Sequence, residues 1–530
     1  MDVWSWISEL PNSVDWNESD SPLKFELASE DNNSTRSIEL KAERTSGSDS
    51  DAAVTFTVCL QGFHPFNTQK PLWVSEKCNL SPDNQNPFLP LLLQLLQEII
   101  SHSPTAHDST CPRSQLQKLK PEPISWIMDS HTPESLSNFF NLVFTVRLFW
   151  LCVCDAPSEA GSLYFRSLLA PTLETASSKI LRTFFLTVGV DTELCFMRTL
   201  GYIIAKSCII KELGVGLQTL LPSPSPPRKN PRFSYAAEAN GLWVLKGYAP
   251  VMTMKLARTN GQKSQFRGID AKESILRYAL AHHQLEAHVQ LEYTVGFHDG
   301  FIQVRARVDN IRLHVARLGF NKDGDDVDFI DEKHFPSRVR VWVGPEIGAA
   351  YVGGLSLGRS AENNEREVEI QKIVKGNFEK SEQISKVKAA ARSSRRTRTK
   401  SWRMDQDAEG NAAIFDVVLH DNMTGLEVGA WKPTGQTGDD PVHGMRGRYS
   451  GASRPFNKSG SVVIAGDEYG EEVGWRLSKE MEGSVLKWRI GGEFWVSYWP
   501  NQVKGSYFET RYVEWCDEVD LPLINNAKIP

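Results

Sequence analysis

Motifs that mark nucleotide or covalent chemistry are missing from the sequence. There is no P-loop, no Rossmann glycine fingerprint and no Ser-centred elbow at a point where a strand–helix turn could use it. The glycines of "YVGGLSLG" run into strand-like sequence and read as a turn or bulge. Cysteine is sparse: eight residues with no C-x-x-C pair, and only Cys152 and Cys154 close together. Reduced, packed thiols are expected, which argues against a disulfide framework or a structural zinc site. No cofactor or metal is therefore expected. The opening "MDVWSWISELPNSVDWNESD" carries acids where a signal or transit peptide carries Lys or Arg, so a cytoplasmic or nuclear location is expected.

No apolar run is long enough to span a bilayer without interruption. The most hydrophobic window, Phe139–Cys154, is broken by Asn141, Thr145 and Arg147, whereas a spanning helix needs about 20 largely apolar residues. A buried core helix is the expectation, with membrane insertion as the alternative.

Charge of one sign does not dominate either. Lys+Arg number 59 against Asp+Glu 65, a net of −6 over 530 residues. A broadly basic nucleic-acid binder is disfavoured, so anion binding, if present, is local. Hydrophobic residues are 40% and charged residues 23%, ordinary for a globular chain of several domains.

Along the chain, residues 1–86 hold strand-like pieces such as "LKFELAS" and "AAVTFTVCLQGF". Residues 87–221 turn helical. "TPESLSNFFNLVFTVRLFWL" opens with Thr132 as N-cap, Pro133 in the first turn and Glu134 nearby. Leu194, Met197, Leu200 and Ile203/Ile204 then recur at helical spacing. Five prolines in Leu221–Phe233 make 222–232 an extended linker, since proline fixes φ and lacks a donor. From 233 to 530 the period is two. In "AHVQLEYTVGFHDGFIQVRARV", Val289, Leu291, Tyr293, Val295 and Phe297 share one face, and Ile302, Val304, Ala306 and Val308 share another. A two-residue Asp299-Gly300 turn pairs His298 with Phe301 and sets Glu292 opposite Arg307. The fold class expected is α+β multidomain. It has an N-terminal small sheet plus helical bundle, then a large antiparallel β-sandwich or barrel-like domain.

Candidate sites are few, and most read as structure. His298–Asp299 and His420–Asp421 sit at strand ends, as turns require. His282, His283 and His288 lack the carboxylate or Cys spacing that completes a metal site. "NKDGDDVDFIDE", Asn321–Glu332, mimics a calcium loop, but Asp326 stands where the turn wants Gly and Asp328 where a hydrophobe packs. An acidic solvated loop is expected there. Trp402, Trp431, Trp475, Trp488, Trp495, Trp499 and Trp515 crowd the last third. Core is the expectation for most, with Trp499 the exposed exception that could stack a ligand.

The exception to this plainness is "KVKAAARSSRRTRTKSWR". Lys386, Lys388, Arg392, Arg395, Arg396, Arg398, Lys400 and Arg403 occur there with no acid among them. The stretch lies inside an expected loop, 381–410, between two predicted strands. It could meet anionic lipid, at about 1 kcal/mol per basic residue near the surface. It could equally meet nucleic acid, serve as an import label, or face an acidic protein. Phosphate on Ser393, Ser394, Thr397, Thr399 or Ser401 would reverse its charge.

From Lys400 on, "KSWRMDQDAEGNAAIFDVVLHDNMTGLEVGAW", with "RVRVWVGPEIG" and "FETRYVEWCDEVDLPL", resembles a plant-restricted family of uncharacterised proteins. The resemblance implies a plant source and assigns no functional residue. The reading that follows is a non-enzymatic intracellular scaffold or adaptor whose β domain offers the eight basic residues to an acidic partner. A peripheral membrane protein using the basic loop and the apolar helix is the first alternative. A carbohydrate-binding or hydrolytic β-sandwich is the second.

Overall fold

The computed structural model describes residues 2–11, 21–30, 36–46, 52–63, 71–81, 84–103, 118–164, 178–218, 233–257, 283–318, 334–358, 366–378, 387–399, 401–420, 427–428, 455–457, 460–469, 471–498 and 509–524. The linker 222–232 and the acidic stretch Asn321–Glu332 lie outside them.

In the N-terminal half, β1 (Leu23–Ser29), β2 (Ser37–Ser46) and β3 (Ala52–Gln61) form an antiparallel meander. The short strands β4 (Trp73–Val74) and β5 (Cys78–Asn79) both pair with β3. Alternation is clear in β3, where Val54, Phe56 and Val58 are fully buried. They share one core with Leu92, Leu96, Phe140, Phe144 and Leu200 from the helices. The strand-bearing and helical segments expected on either side of residue 86 are thus parts of one packed unit.

Its central helix, Pro133–Cys154, begins as the sequence requires. Thr132 Oγ1 accepts from the Ser135 amide at 3.4 Å, and Pro133 occupies the first turn. By length and hydropathy, residues Pro133–Cys152 could cross a membrane, yet 83% of the window is buried inside the fold. The interruptions have structural partners. Asn141 Oδ1 accepts from the Trp4 amide at 3.2 Å, which ties down the first helix, Val3–Ser8. Arg147 is buried and donates to Glu98, as a buried cation must. Burial pushes the Cys152 thiol up to about 12, so it is an inert packed group.

In the C-terminal half, two large antiparallel sheets share a second core. The first runs β12 (Val352–Ser356), β18 (Val473–Ser478), β10 (Phe301–Arg317), β9 (His283–Phe297), β7 (Leu242–Pro250), β6 (Phe233–Ala239), with β17 (Val462–Ala465) also on β10. The second runs β15 (Trp402–Glu409), β16 (Ala412–Leu419), β11 (His334–Pro345), β19 (Val485–Tyr498), β20 (Glu509–Pro522), β8 (Lys255–Leu256). Between them, Trp243 and Trp488 meet at 5.3 Å, and Trp475 packs edge-on against Trp488 at 4.8 Å. Gly247 of the first sheet lies under the buried Trp515 ring of the second.

The β9–β10 hairpin has the expected register. Phe297 pairs with Ile302, and Glu292 with Arg307. The Arg307 Nε donates to Glu292 at 2.6 Å. A bulge between Val308 and Asn310 then shifts parity, so that Ile311, Leu313 and Val315 take over the inward face. One extra residue does this because side chains alternate along a strand.

Candidate functional site

A fourth, two-stranded sheet consists of β13 (Arg366–Phe378) and β14 (Val387–Thr399). Its thirteen antiparallel pairs run from Arg366–Thr399 to Phe378–Val387 without a register shift. The basic run expected as a loop over 381–410 is therefore mostly strand: β14 ends at Thr399, and β15 starts at Trp402. Of the eight basic residues, Lys388, Arg392, Arg395, Arg396 and Arg398 lie on β14, and Arg403 is exposed on β15. Lys386 and Lys400 lie outside the described residues.

Pairing explains why so charged a segment is extended. Strand β13 supplies Val368, Ile370, Ile373 and Val374, whose branched side chains favour the pleated backbone. Opposite-charge positions also face each other, Glu367 with Arg398 and Glu369 with Arg396. Such cross-strand pairs each contribute roughly 0.2–1 kcal/mol. Those two acids leave most of the charge uncompensated. The two strands hold eight Lys and Arg against two Glu, a net of +6 in a chain whose total is −6.

A second constellation escaped sequence reasoning. Glu193, on the helix Val190–Gln218, is buried, and its carboxylate collects three donors from the first β-sheet. The Tyr235 and Tyr248 hydroxyls each donate to Oε1 at 2.6 Å, and Lys246 Nζ donates to Oε2 at 2.7 Å. Five residues along that helix, Arg198 grips Glu286 of β9 through Nε at 2.8 Å and Nη2 at 3.0 Å. Burial, and then the Glu193 charge, hold both phenols well above the ordinary tyrosine range. All partners are satisfied by one another across the junction of the two halves. The arrangement welds the helical unit to the β unit. Glu193 and Arg198, set among Leu194, Met197 and Leu200 at helical spacing, were its only sequence signal.

The remaining candidates settle into structural roles. His298 stacks on Phe301 at 4.6 Å at the hairpin end. His420 Nδ1 lies 3.1 Å from the Val418 carbonyl, while Asp421 is outside the described residues. His283 stacks on His334, and His334 on Tyr498. His288 stays neutral: burial, then Lys246 and Arg312, lower it to about 4. Among the described residues, no three His, Cys, Asp or Glu side chains gather as a metal would need. Trp475, Trp488 and Trp515 are core, while half-buried Trp495 stacks with Tyr512 at 6.2 Å under the Arg338 guanidinium. Trp402 is half-buried and donates to the Pro455 carbonyl at 3.1 Å. Trp431, Trp499, His282 and Asn321–Glu332 lie outside the described residues.

No protein-family model matches the chain. No curated protein is significantly similar to it. Among solved structures, it is similar to the NetB toxin of Clostridium perfringens in its membrane-inserted form, at 9% identity and a TM-score of 0.18, over 44% of this chain and 88% of that one. It is also similar to Clostridium perfringens delta-toxin, at 9% identity and a TM-score of 0.20, over 55% of this chain and 96% of the toxin. A pore-forming protein aligns over 54% of this chain and 94% of its own length, at 9% identity and a TM-score of 0.18. Similarity at this level carries no inference about activity.

Proposed function

We propose that this protein is a non-enzymatic adaptor whose β domain binds an anionic partner through the β13–β14 ribbon. The observation that supports it is the concentration of charge. A net of +6 on one self-paired ribbon stands against a net of −6 for the whole chain. Opposite fields of this kind steer association and select partners by sign. The two β sheets and the helical unit act as the rigid body that carries the ribbon. The polar seam at Glu193 keeps that body in one piece.

Binding of labelled poly-L-glutamate, read by fluorescence anisotropy, tests the proposal. Wild-type protein should bind and weaken as salt is raised, because exposed charge pairs are screened. A variant with Lys386, Lys388, Arg392, Arg395, Arg396, Arg398, Lys400 and Arg403 all changed to Gln should bind at least roughly tenfold more weakly. Equal binding by the two proteins, at low and high salt, would refute a role for the ribbon.

A further inference from the structure

We infer that the anionic partner is a lipid bilayer surface, with one face of the ribbon's Phe378–Val387 half lying at the headgroup–acyl boundary. The inference rests on the proposed anion-binding role of the ribbon. Parity carries it, because side chains alternate between the two faces of a strand. At the Phe378–Val387 end, the pairs Val374–Ala391, Gly376–Ala389 and Phe378–Val387 put six residues without a polar side chain on one face, that of the even-numbered residues of β13. The other face of the same region holds Asn377 opposite Lys388, Lys375 opposite Ala390 and Ile373 opposite Arg392. Farther from that end, charge occupies both faces: Arg395, opposite Ile370, shares the apolar face, while Arg396 and Arg398, opposite Glu369 and Glu367, are on the other.

A soluble acidic partner would be met by charge alone and gives no account of the apolar half-face. An anionic bilayer takes both parts: apolar area enters the boundary, and basic residues are drawn to the headgroups. A two-stranded ribbon is also marginally stable alone in water, so a surface that covers one face stabilises it. The long apolar helix is not needed for this docking, since 83% of its window is already inside the fold.

The test uses full-length protein in flotation with vesicles of phosphatidylcholine alone or mixed with phosphatidylserine, beside the poly-L-glutamate titration. Wild type should float with the phosphatidylserine vesicles only. The triple variant Val374→Asn, Phe378→Asn, Val387→Asn keeps every charge, so it should bind poly-L-glutamate normally and bind vesicles roughly tenfold or more weakly. The variant Ala389→Leu, Ala391→Leu should bind phosphatidylserine vesicles more tightly while its poly-L-glutamate binding and urea midpoint stay at the wild-type values, a combination that a misfolded chain would not give. Equal flotation of wild type and the triple variant would overturn the inference and leave the anion-binding role standing. So would wild type that binds poly-L-glutamate without floating, a result that points to an acidic protein. Failure of wild type to bind either probe would overturn both readings.

Discussion

Removing the Glu193 carboxylate should uncouple the two halves of the molecule. The residue is 1% exposed, and its two oxygens serve two phenols and one ammonium. In Glu193→Ala, Lys246, whose side chain is 14% exposed, would keep a charge without its partner. Breaking a buried pair by removing one member costs about 3–5 kcal/mol. Each phenol left without an acceptor adds up to about 1–3 kcal/mol, offset where water enters the vacated space. About 4 kcal/mol is the expected loss, and it falls on the junction, because Glu193 and its donors belong to different halves. Calorimetry should therefore show two separated transitions in the variant where wild type shows one. Glu193→Gln keeps an acceptor for the phenols and should cost about 2 kcal/mol. Adding Lys246→Met to it removes the stranded charge, so the double variant should be more stable than the sum of the single losses by about 2 kcal/mol. Additive losses, or a Glu193→Ala profile that matches wild type, would refute the reasoning that this carboxylate couples the halves.

Two other perturbations follow from the same junction and from the sheet contact. Tyr235 and Tyr248 have folded-state pKa values raised by burial and by Glu193; their contribution is complete below the unfolded tyrosine value of about 10 and is lost as pH rises above it. Each should remove about 1.4 kcal/mol of stability per pH unit above that point, so urea unfolding at pH 9.5 and 11 should reveal a fall that Tyr235→Phe, Tyr248→Phe flattens. Gly247→Ala would set a Cβ 2.4 Å from the ring of Trp515, which is 2% exposed and cannot swing out. A loss of about 1–3 kcal/mol is expected from overpacking of this kind, read as a lower urea midpoint with an unchanged slope.

Much of the architecture was legible because periodicity and turn chemistry agreed. Thr132-Pro133 opens the central helix as its cap chemistry demands. Asp299-Gly300 sets the register of the longest hairpin. What escaped notice has a common physical cause: the relevant partners are far apart in sequence. Glu193 meets Tyr235, Lys246 and Tyr248 across 42 to 55 residues. Arg147 meets Glu98 across 49 residues. A polar residue on an apolar helix shows that a partner must exist, since an unpaired buried charge is expensive; the sequence does not show which residue it is. The packing of Gly247 against Trp515 is hidden in the same way, because it joins strands of different sheets.

The basic run was misread as a loop for a more specific reason. Strand recognition relies on apolar alternation, and "KAAARSSRRTRT" has basic residues at both parities: Lys388, Arg392, Arg396 and Arg398 are even-numbered, and Arg395 is odd. Its extended form is legible only together with β13, whose branched residues and acids face it in register. The antiparallel pairing also reverses which numbers share a face: because paired positions sum to an odd number, Lys388 stands opposite Asn377 and Ala389 opposite Gly376. With the partner strand assigned by its own parity, Val374, Gly376 and Phe378 come to one side with Val387, Ala389 and Ala391, and an uninterrupted charge run resolves into a ribbon with an apolar half-face. The lipid-surface proposal depends on that register as well as on the charge of the run. A one-residue slip of β14 would bring Lys388 to the side of Val374 and Phe378 and abolish the half-face. Crosslinking of paired cysteines, Gly376→Cys with Ala389→Cys against Gly376→Cys with Lys388→Cys, therefore tests its foundation: the first pair should join readily and the second should not.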